Sequence, residues 1–211
     1  TTIKQFIALT RSGPSENTRF YIYSAWPRRE IEYQVFWDQP VANEPNQPTI
    51  HARDYFTHLY GNLESDLPNE IELYVIPVGE VFYELDKKLR PGNYAPFDDI
   101  DDFYRDLVHL KRDVGRFTAA NTAYATLFRR NPSGITEPST GRPNPPYYFL
   151  DDGETQMTDA LRELIQQTIW EVVTRHPHTG IDITADRFPH RKIVDVELGE
   201  TVEFGSYTLE S

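Results

Sequence analysis

The chain has 211 residues and a net charge of −12, from 33 acidic and 21 basic side chains; this length suits one globular domain, and the acidic balance disfavours nucleic acid and anionic membrane surfaces as partners. The hydrophobic content of 38% is enough for a packed core, and the lack of cysteine excludes disulfides, thiolate metal sites and a cysteine nucleophile. No apolar run approaches the roughly 20 residues that a helix needs to cross a bilayer, so we expect no membrane span.

Helices and buried strands alternate along the first part of the chain. Apolar spacing predicts a helix over residues 3–10, followed by a run of aromatic and β-branched side chains over 19–26 (RFYIYSAW). A run that is apolar on both faces is typical of a strand in a parallel sheet covered by helices. The same patterns predict a helix over 51–63, a second buried strand over 71–78 (IELYVIPV) and a helix over 81–89.

The second half of the chain adds two predicted helices. The first starts at Val114 and ends before residues 131–134 (NPSG), which are a strong stop signal. The second is amphipathic, with an apolar face formed by Met157, Leu161, Leu164, Ile165, Thr168, Ile169 and Val172. Alternation over 193–209 predicts a β-hairpin within a C-terminal extension, residues 181–211. The alternation of helices and strands before it predicts an α/β domain with a parallel sheet over residues 1–180.

Asp106 and His109 follow the second predicted strand, where functional residues of parallel α/β sheets are expected. A spacing of three residues on a turn places the two side chains on one face. The carboxylate can then accept a hydrogen bond from one ring nitrogen, which leaves the other nitrogen free to take a proton from a hydroxyl. The alternative is that Asp106 caps a helix beginning near Leu110, with His109 an ordinary residue of its first turn.

Four segments, covering about residues 3–175 in order, extend this interpretation. They are 20–27 (FYIYSAWP), 76–82 (IPVGEVF), 104–111 (YRDLVHLK, followed by Gly115 and a helix) and 129–134 (RRNPSG). The order resembles the SGNH (GDSL-like) hydrolases, in which a YxYxxWP strand and a VPVGxxx strand end precede a D-x-x-H-L block. In the same family a helix after that block often ends in GRxPxG.

The resemblance implies a fold and an activity. The fold is a three-layer α/β/α sandwich with a flavodoxin-like parallel sheet. The activity is ester hydrolysis through an acyl-enzyme, on a small molecule or an O-acylated carbohydrate, without a cofactor. Carried over by position, Asp106 is the residue that orients the imidazole, and His109 is the general base.

One part of the family pattern is absent from the sequence. The family carries its nucleophile in a Gly-Asp-Ser or Gly-Asn-Ser segment and its oxyanion hole partly in a Gly-x-Asn-Asp segment, and neither occurs in the 211 residues. Ser12 precedes a strand instead of following one, and Gly61-Asn62 lacks the trailing Asp. We therefore expect the chain to be the C-terminal portion of a hydrolase, lacking the first strands, whose serine lies outside it. The alternatives are an inactive relative and a non-catalytic binding or interaction domain on the same scaffold.

Trp26 and Arg28, just past the first strand, are candidate substrate-binding residues. The indole of Trp26 could form a pocket wall, and the alternative is that it packs in the core. The guanidinium of Arg28 could bind an anionic group, and the alternative is that it is a solvated surface charge. The histidines that could bind zinc are too scattered along the sequence to form a tight ligand set. They are His51, His58, His176, His178 and His190. The acidic run 98–102 lacks the ligand spacing of a calcium loop, so we expect neither a metal nor a cofactor.

Overall fold

The computed structural model of the protein describes residues 2–13, 18–29, 37–38, 52–111, 113–135 and 157–181. In chain order the described elements are α1 (Thr2–Arg11), β1 (Phe20–Tyr23), α2 (Arg53–Asp66), β2 (Leu73–Ile76), α3 (Val78–Leu89), the 3₁₀ helix η1 (Ile100–Phe103), α4 (Val114–Phe128) and α5 (Asp159–Arg175). Each helix and strand predicted within the described residues is present, which confirms those assignments. The predicted C-terminal extension falls almost entirely in residues 182–211, which lie outside the described residues.

The two described strands form a parallel pair. Phe20 is opposite Leu73 and Tyr23 is opposite Ile76, and α2 lies on the crossover between them, as a parallel connection requires. This confirms an α/β fold with a parallel sheet. The extension of the second strand to Val78 is wrong, because Pro77 interrupts the main-chain donors and α3 begins at Val78.

Side chains from the two strands enter two separate apolar clusters. Phe20, Leu73 and Val75 belong to a smaller cluster with residues of α1 and α2. Ile76 belongs to the main cluster, and Tyr21 packs against it. Because successive strand side chains point to opposite faces, this division indicates that both faces of the sheet are covered by apolar packing.

The main cluster is built around α3, α4 and α5. The predicted apolar face of α5 is confirmed, since its buried residues include Leu161, Ile165, Thr168, Ile169 and Val172. Full burial of each such aliphatic side chain contributes about 1.5–3 kcal/mol. The helix begins after Thr158, whose hydroxyl accepts a hydrogen bond of 3.2 Å from the main-chain N–H of Leu161. No described helix is both long enough and apolar enough to cross a membrane.

Candidate functional site

Asp106 and His109 lie on a closed loop, residues 104–110, which we call the dyad loop. An antiparallel bridge between Tyr104 and Leu110 closes it, and the N–H of Arg105 donates to the oxygen of His109 at 2.8 Å. The next helix begins only at Val114, with Asp113 as its N-cap residue. The alternative in which Asp106 caps a helix near Leu110 is therefore wrong, because a hairpin-like bridge stands where that helix would start.

The structure brings Asp106 and His109 together as a hydrogen-bonded dyad. Nδ1 of His109 lies 2.9 Å from Oδ1 and 3.0 Å from Oδ2 of Asp106. The same carboxylate accepts main-chain N–H bonds from Val108 at 3.1 Å and from His109 at 2.9 Å. The bond from Val108, followed by that from His109, holds the pKa of Asp106 well below its usual range, so the orienting group is an anion at neutral pH.

The imidazole of the dyad is open to solvent. The side chain of His109 is 62% exposed and that of Asp106 is 44% exposed. With Nδ1 donating to the carboxylate, Nε2 carries the lone pair and faces outward from this contact. This arrangement can accept a proton from a hydroxyl at Nε2 and stabilise the resulting imidazolium.

Trp26 lies in the segment that follows β1, and its side chain contacts the dyad loop. Its Nε1 donates a 2.9 Å hydrogen bond to the main-chain oxygen of Val108, and its ring stacks on Phe82 with centroids 6.0 Å apart. Arg28 is exposed at the same strand end. Among the residues that the structure describes, the ion pairs of Asp106 are with Arg105 and His109, and none of them joins Arg28 to the dyad.

A second polar cluster, which the sequence interpretation did not find, joins α2 to α3. Nε and Nη2 of Arg53 donate to the two carboxylate oxygens of Glu80 at 2.8 and 2.9 Å, and Arg53 also pairs with Asp38. Burial lowers the pKa of Arg53, but the hydrogen bond and charge of Glu80 outweigh it and raise that pKa above its ordinary value. Trp37 is buried and donates its Nε1–H to the same carboxylate of Glu80.

A cleft of about 410 Å³ lies beside this cluster, and its lining includes Arg53, Glu80, Glu84, Arg175, His176 and His178. Burial, followed by the charge of His178, lowers the pKa of His176 to about 4. The ring of His178 stacks on Tyr60 with centroids 3.8 Å apart, and His176 packs edge-on against His178 with centroids 5.7 Å apart. Within the described residues no group of His, Asp and Glu side chains could hold a metal ion, and His51 and His190 lie outside those residues.

The dyad is thus the described site best suited to acid–base chemistry, since it combines an anionic orienting group with an accessible ring nitrogen. Comparisons with protein-family models, curated proteins and solved structures find no match for the chain. A function for this protein therefore rests on its own residues and their geometry.

Proposed function

We propose that this chain carries the acid–base part of an SGNH-type serine ester hydrolase, with His109 as the general base and Asp106 as its orienting group. The observation that carries the proposal is the contact of His109 Nδ1 with both oxygens of Asp106 on a ring that is 62% exposed. A histidine held in this way has a defined tautomer and a free acceptor nitrogen.

The proposed mechanism follows from that tautomer. Nε2 of His109 removes the proton from a serine hydroxyl as its oxygen attacks the ester carbonyl, and Asp106 stabilises the imidazolium that forms. The imidazolium then returns the proton to the leaving alcohol, and an acyl-enzyme remains. Water, deprotonated by the same Nε2, hydrolyses the acyl-enzyme and frees the serine. In this proposal the serine lies outside the 211 residues, because no Gly-Asp-Ser or Gly-Asn-Ser segment occurs among them.

The position of the dyad in the fold supports the proposal. The dyad loop contacts the segment immediately after β1, through Trp26, and it follows β2 and α3 along the chain. In parallel α/β sheets, reactive groups gather at these carboxyl ends of the strands. The two apolar clusters, which take side chains from opposite faces of the sheet, support the proposed three-layer sandwich.

The proposed substrate is a small ester or an O-acylated carbohydrate, and this part rests on the family resemblance alone. No metal or cofactor takes part in the mechanism, because the base, the orienting anion and the serine account for each proton transfer.

The test uses the protein expressed from its complete reading frame, with p-nitrophenyl acetate as substrate. We expect His109→Ala to lower kcat by on the order of 10²–10⁴-fold, because it removes the general base. His58→Ala is the matched control, since His58 is 63% exposed and its Nδ1 also lies near a carboxylate, 3.2 Å from Asp54. Equal turnover of the wild type and His109→Ala would overturn the proposal.

The second candidate is a non-catalytic binding or interaction domain on the same scaffold. The observation that favours it is the lack of a Gly-Asp-Ser or Gly-Asn-Ser segment in the sequence. Expression of the complete reading frame separates the two candidates. Ester hydrolysis that depends on His109 supports the enzyme, whereas a wild-type protein with no hydrolytic activity on acetyl esters supports the binding domain.

A further inference from the structure

We propose that Trp26 is a positioning residue for the dyad and not the wall of a substrate pocket. This inference rests on the proposed function, because it concerns how the acid–base pair is held. Its basis is a relay of hydrogen bonds through one peptide group, which leads from the indole of Trp26 to the carboxylate of Asp106.

The peptide group between Val108 and His109 is bound at both ends. Its oxygen accepts a 2.9 Å hydrogen bond from Nε1 of Trp26, and its N–H donates a 2.9 Å hydrogen bond to Oδ1 of Asp106. A peptide group is planar, so a donor that fixes the direction of the oxygen also fixes the direction of the N–H. Trp26 therefore fixes the direction of one of the two main-chain N–H groups that bind the carboxylate, and the carboxylate in turn orients the imidazole.

The indole is itself attached to the protein core. It stacks on Phe82 of α3 with an interplanar angle of 22°, and Phe82 is fully buried. Tyr23 packs edge-on against the same indole, with centroids 6.3 Å apart. A rigid donor of this kind can hold a loop in one conformation, which is the condition for a preorganised catalytic group.

Between its buried ends, Tyr104 and Leu110, the dyad loop has little apolar burial to hold its shape. Leu107 and Val108, its two large apolar residues between the dyad partners, are 44% and 43% exposed. The segment after β1 provides two further attachments, a 2.9 Å bond from the N–H of Arg29 to the oxygen of Leu107 and a 2.8 Å bond from the hydroxyl of Tyr104 to the oxygen of Pro27. The bonds from Arg29 and Trp26 both act on peptide groups whose N–H binds Asp106. Of these two, the bond from Trp26 comes from a side chain, so a substitution can remove it.

The test compares Trp26→Phe with Tyr23→Phe in the protein from its complete reading frame. Trp26→Phe keeps an aromatic ring against Phe82 but removes the N–H donor, and we expect kcat to fall about 10-fold or more with KM within about twofold of the wild type. Tyr23→Phe removes a hydroxyl from a neighbouring ring that does not hydrogen-bond to the loop, and kcat should stay unchanged. In Trp26→Phe the NMR signal of the His109 main-chain N–H should also move, because its bond to Asp106 is weakened.

Trp26→His serves as the rescue variant, because a neutral imidazole can place an N–H near the position of the indole Nε1 and should restore part of the lost kcat. A rise in KM at unchanged kcat in Trp26→Phe would assign Trp26 to the substrate pocket and overturn the inference, as would unchanged kinetics in that variant.

Should Trp26→Phe fail to fold, the rate of hydrogen exchange at Nε1 of Trp26 in the wild type tests the inference instead. Protection of the Trp26 Nε1–H supports the bond to Val108, and exchange at the rate of free indole overturns it. Loss of activity in His109→Ala together with normal kinetics in Trp26→Phe contradicts only this inference and leaves the proposed function standing.

Discussion

The main-chain oxygen of Phe103 lies 2.4 Å from the point that a Cβ atom on Gly115 would occupy, and Cβ of Leu110 lies 2.7 Å from it. Phe103 immediately precedes the dyad loop and Leu110 is its last residue, and Lys111 donates its N–H to the same Phe103 oxygen at 2.8 Å. The first turn of α4 therefore packs directly against the base of the loop, with room for a hydrogen atom only. This contact explains why a glycine follows the D-x-x-H block in the sequence.

We expect Gly115→Ala to destabilise the protein by about 1–3 kcal/mol, because the added methyl group must displace main-chain atoms of Phe103. Displacement of the loop should lower kcat as well. The control is Gly61→Ala, within α2, where no atom lies within 4 Å of an added Cβ; it should stabilise the protein by about 0.5–1 kcal/mol. Urea unfolding measures both effects, and equal stability of the two variants would contradict the packing described here.

Replacement of the orienting anion is a second prediction. Asp106→Asn keeps an oxygen that can accept the N–H bonds of Val108 and His109, but it removes the charge that stabilises the imidazolium. We expect kcat to fall by on the order of 10³-fold or more while the chain still folds. Kinetics of the protein from its complete reading frame, with circular dichroism to verify folding, test this. A variant with near-normal kcat would show that His109 does not depend on Asp106.

The pH dependence of stability should report His176. Its pKa of about 4 in the folded chain, against an ordinary value of 6.5, means that the unfolded chain binds a proton in this interval and the folded chain does not. The contribution of neutral His176 to the free energy of unfolding is therefore fully present above pH 6.5 and is lost as the pH falls towards 4. The total loss is at most about 3 kcal/mol. His176→Asn keeps an acceptor for the main-chain N–H of His178, whose bond to Nδ1 is 3.2 Å. The wild type should lose more free energy of unfolding than this variant between pH 7 and 4, and parallel losses would contradict the prediction.

A double-mutant cycle should detect the Arg53–Glu80 pair. With Arg53→Met and Glu80→Gln we expect a coupling free energy of about 1 kcal/mol, because the geometry is bidentate but the Arg53 side chain is 37% exposed and partly screened by solvent. The exposed pair Arg19–Glu72, joined by one contact at 3.0 Å, is the control and should couple by less than about 0.5 kcal/mol. Urea unfolding measures both coupling free energies. Equal values in the two cycles would mean that the bidentate contact adds nothing to the stability of the protein.

Within the described residues, local patterns in the sequence were sufficient to locate the α-helices and the two strands, although they extended the second strand past Ile76. The apolar face of α5 and the apolar runs of β1 and β2 are visible because burial recurs at the period of a helix or of a strand. The spacing of Asp106 and His109 also indicated a pair, because two residues three apart on a tight turn are neighbours whatever the rest of the chain does.

The same patterns place the start of α4 at Val114, but they do not predict the hairpin-like shape of the dyad loop before it. The contact of Trp26 with Val108 joins residues 82 apart in sequence, and that of Arg53 with Glu80 joins residues 27 apart. Periodicity carries no information about such partners, because they meet only after β1 and β2 pair in parallel and α3 packs beside them. The sequence by itself determined which segments are helices and strands and which two side chains could form a dyad. The tertiary structure alone decided what holds that dyad in place, since its supports come from hydrogen bonds and ring contacts between distant segments.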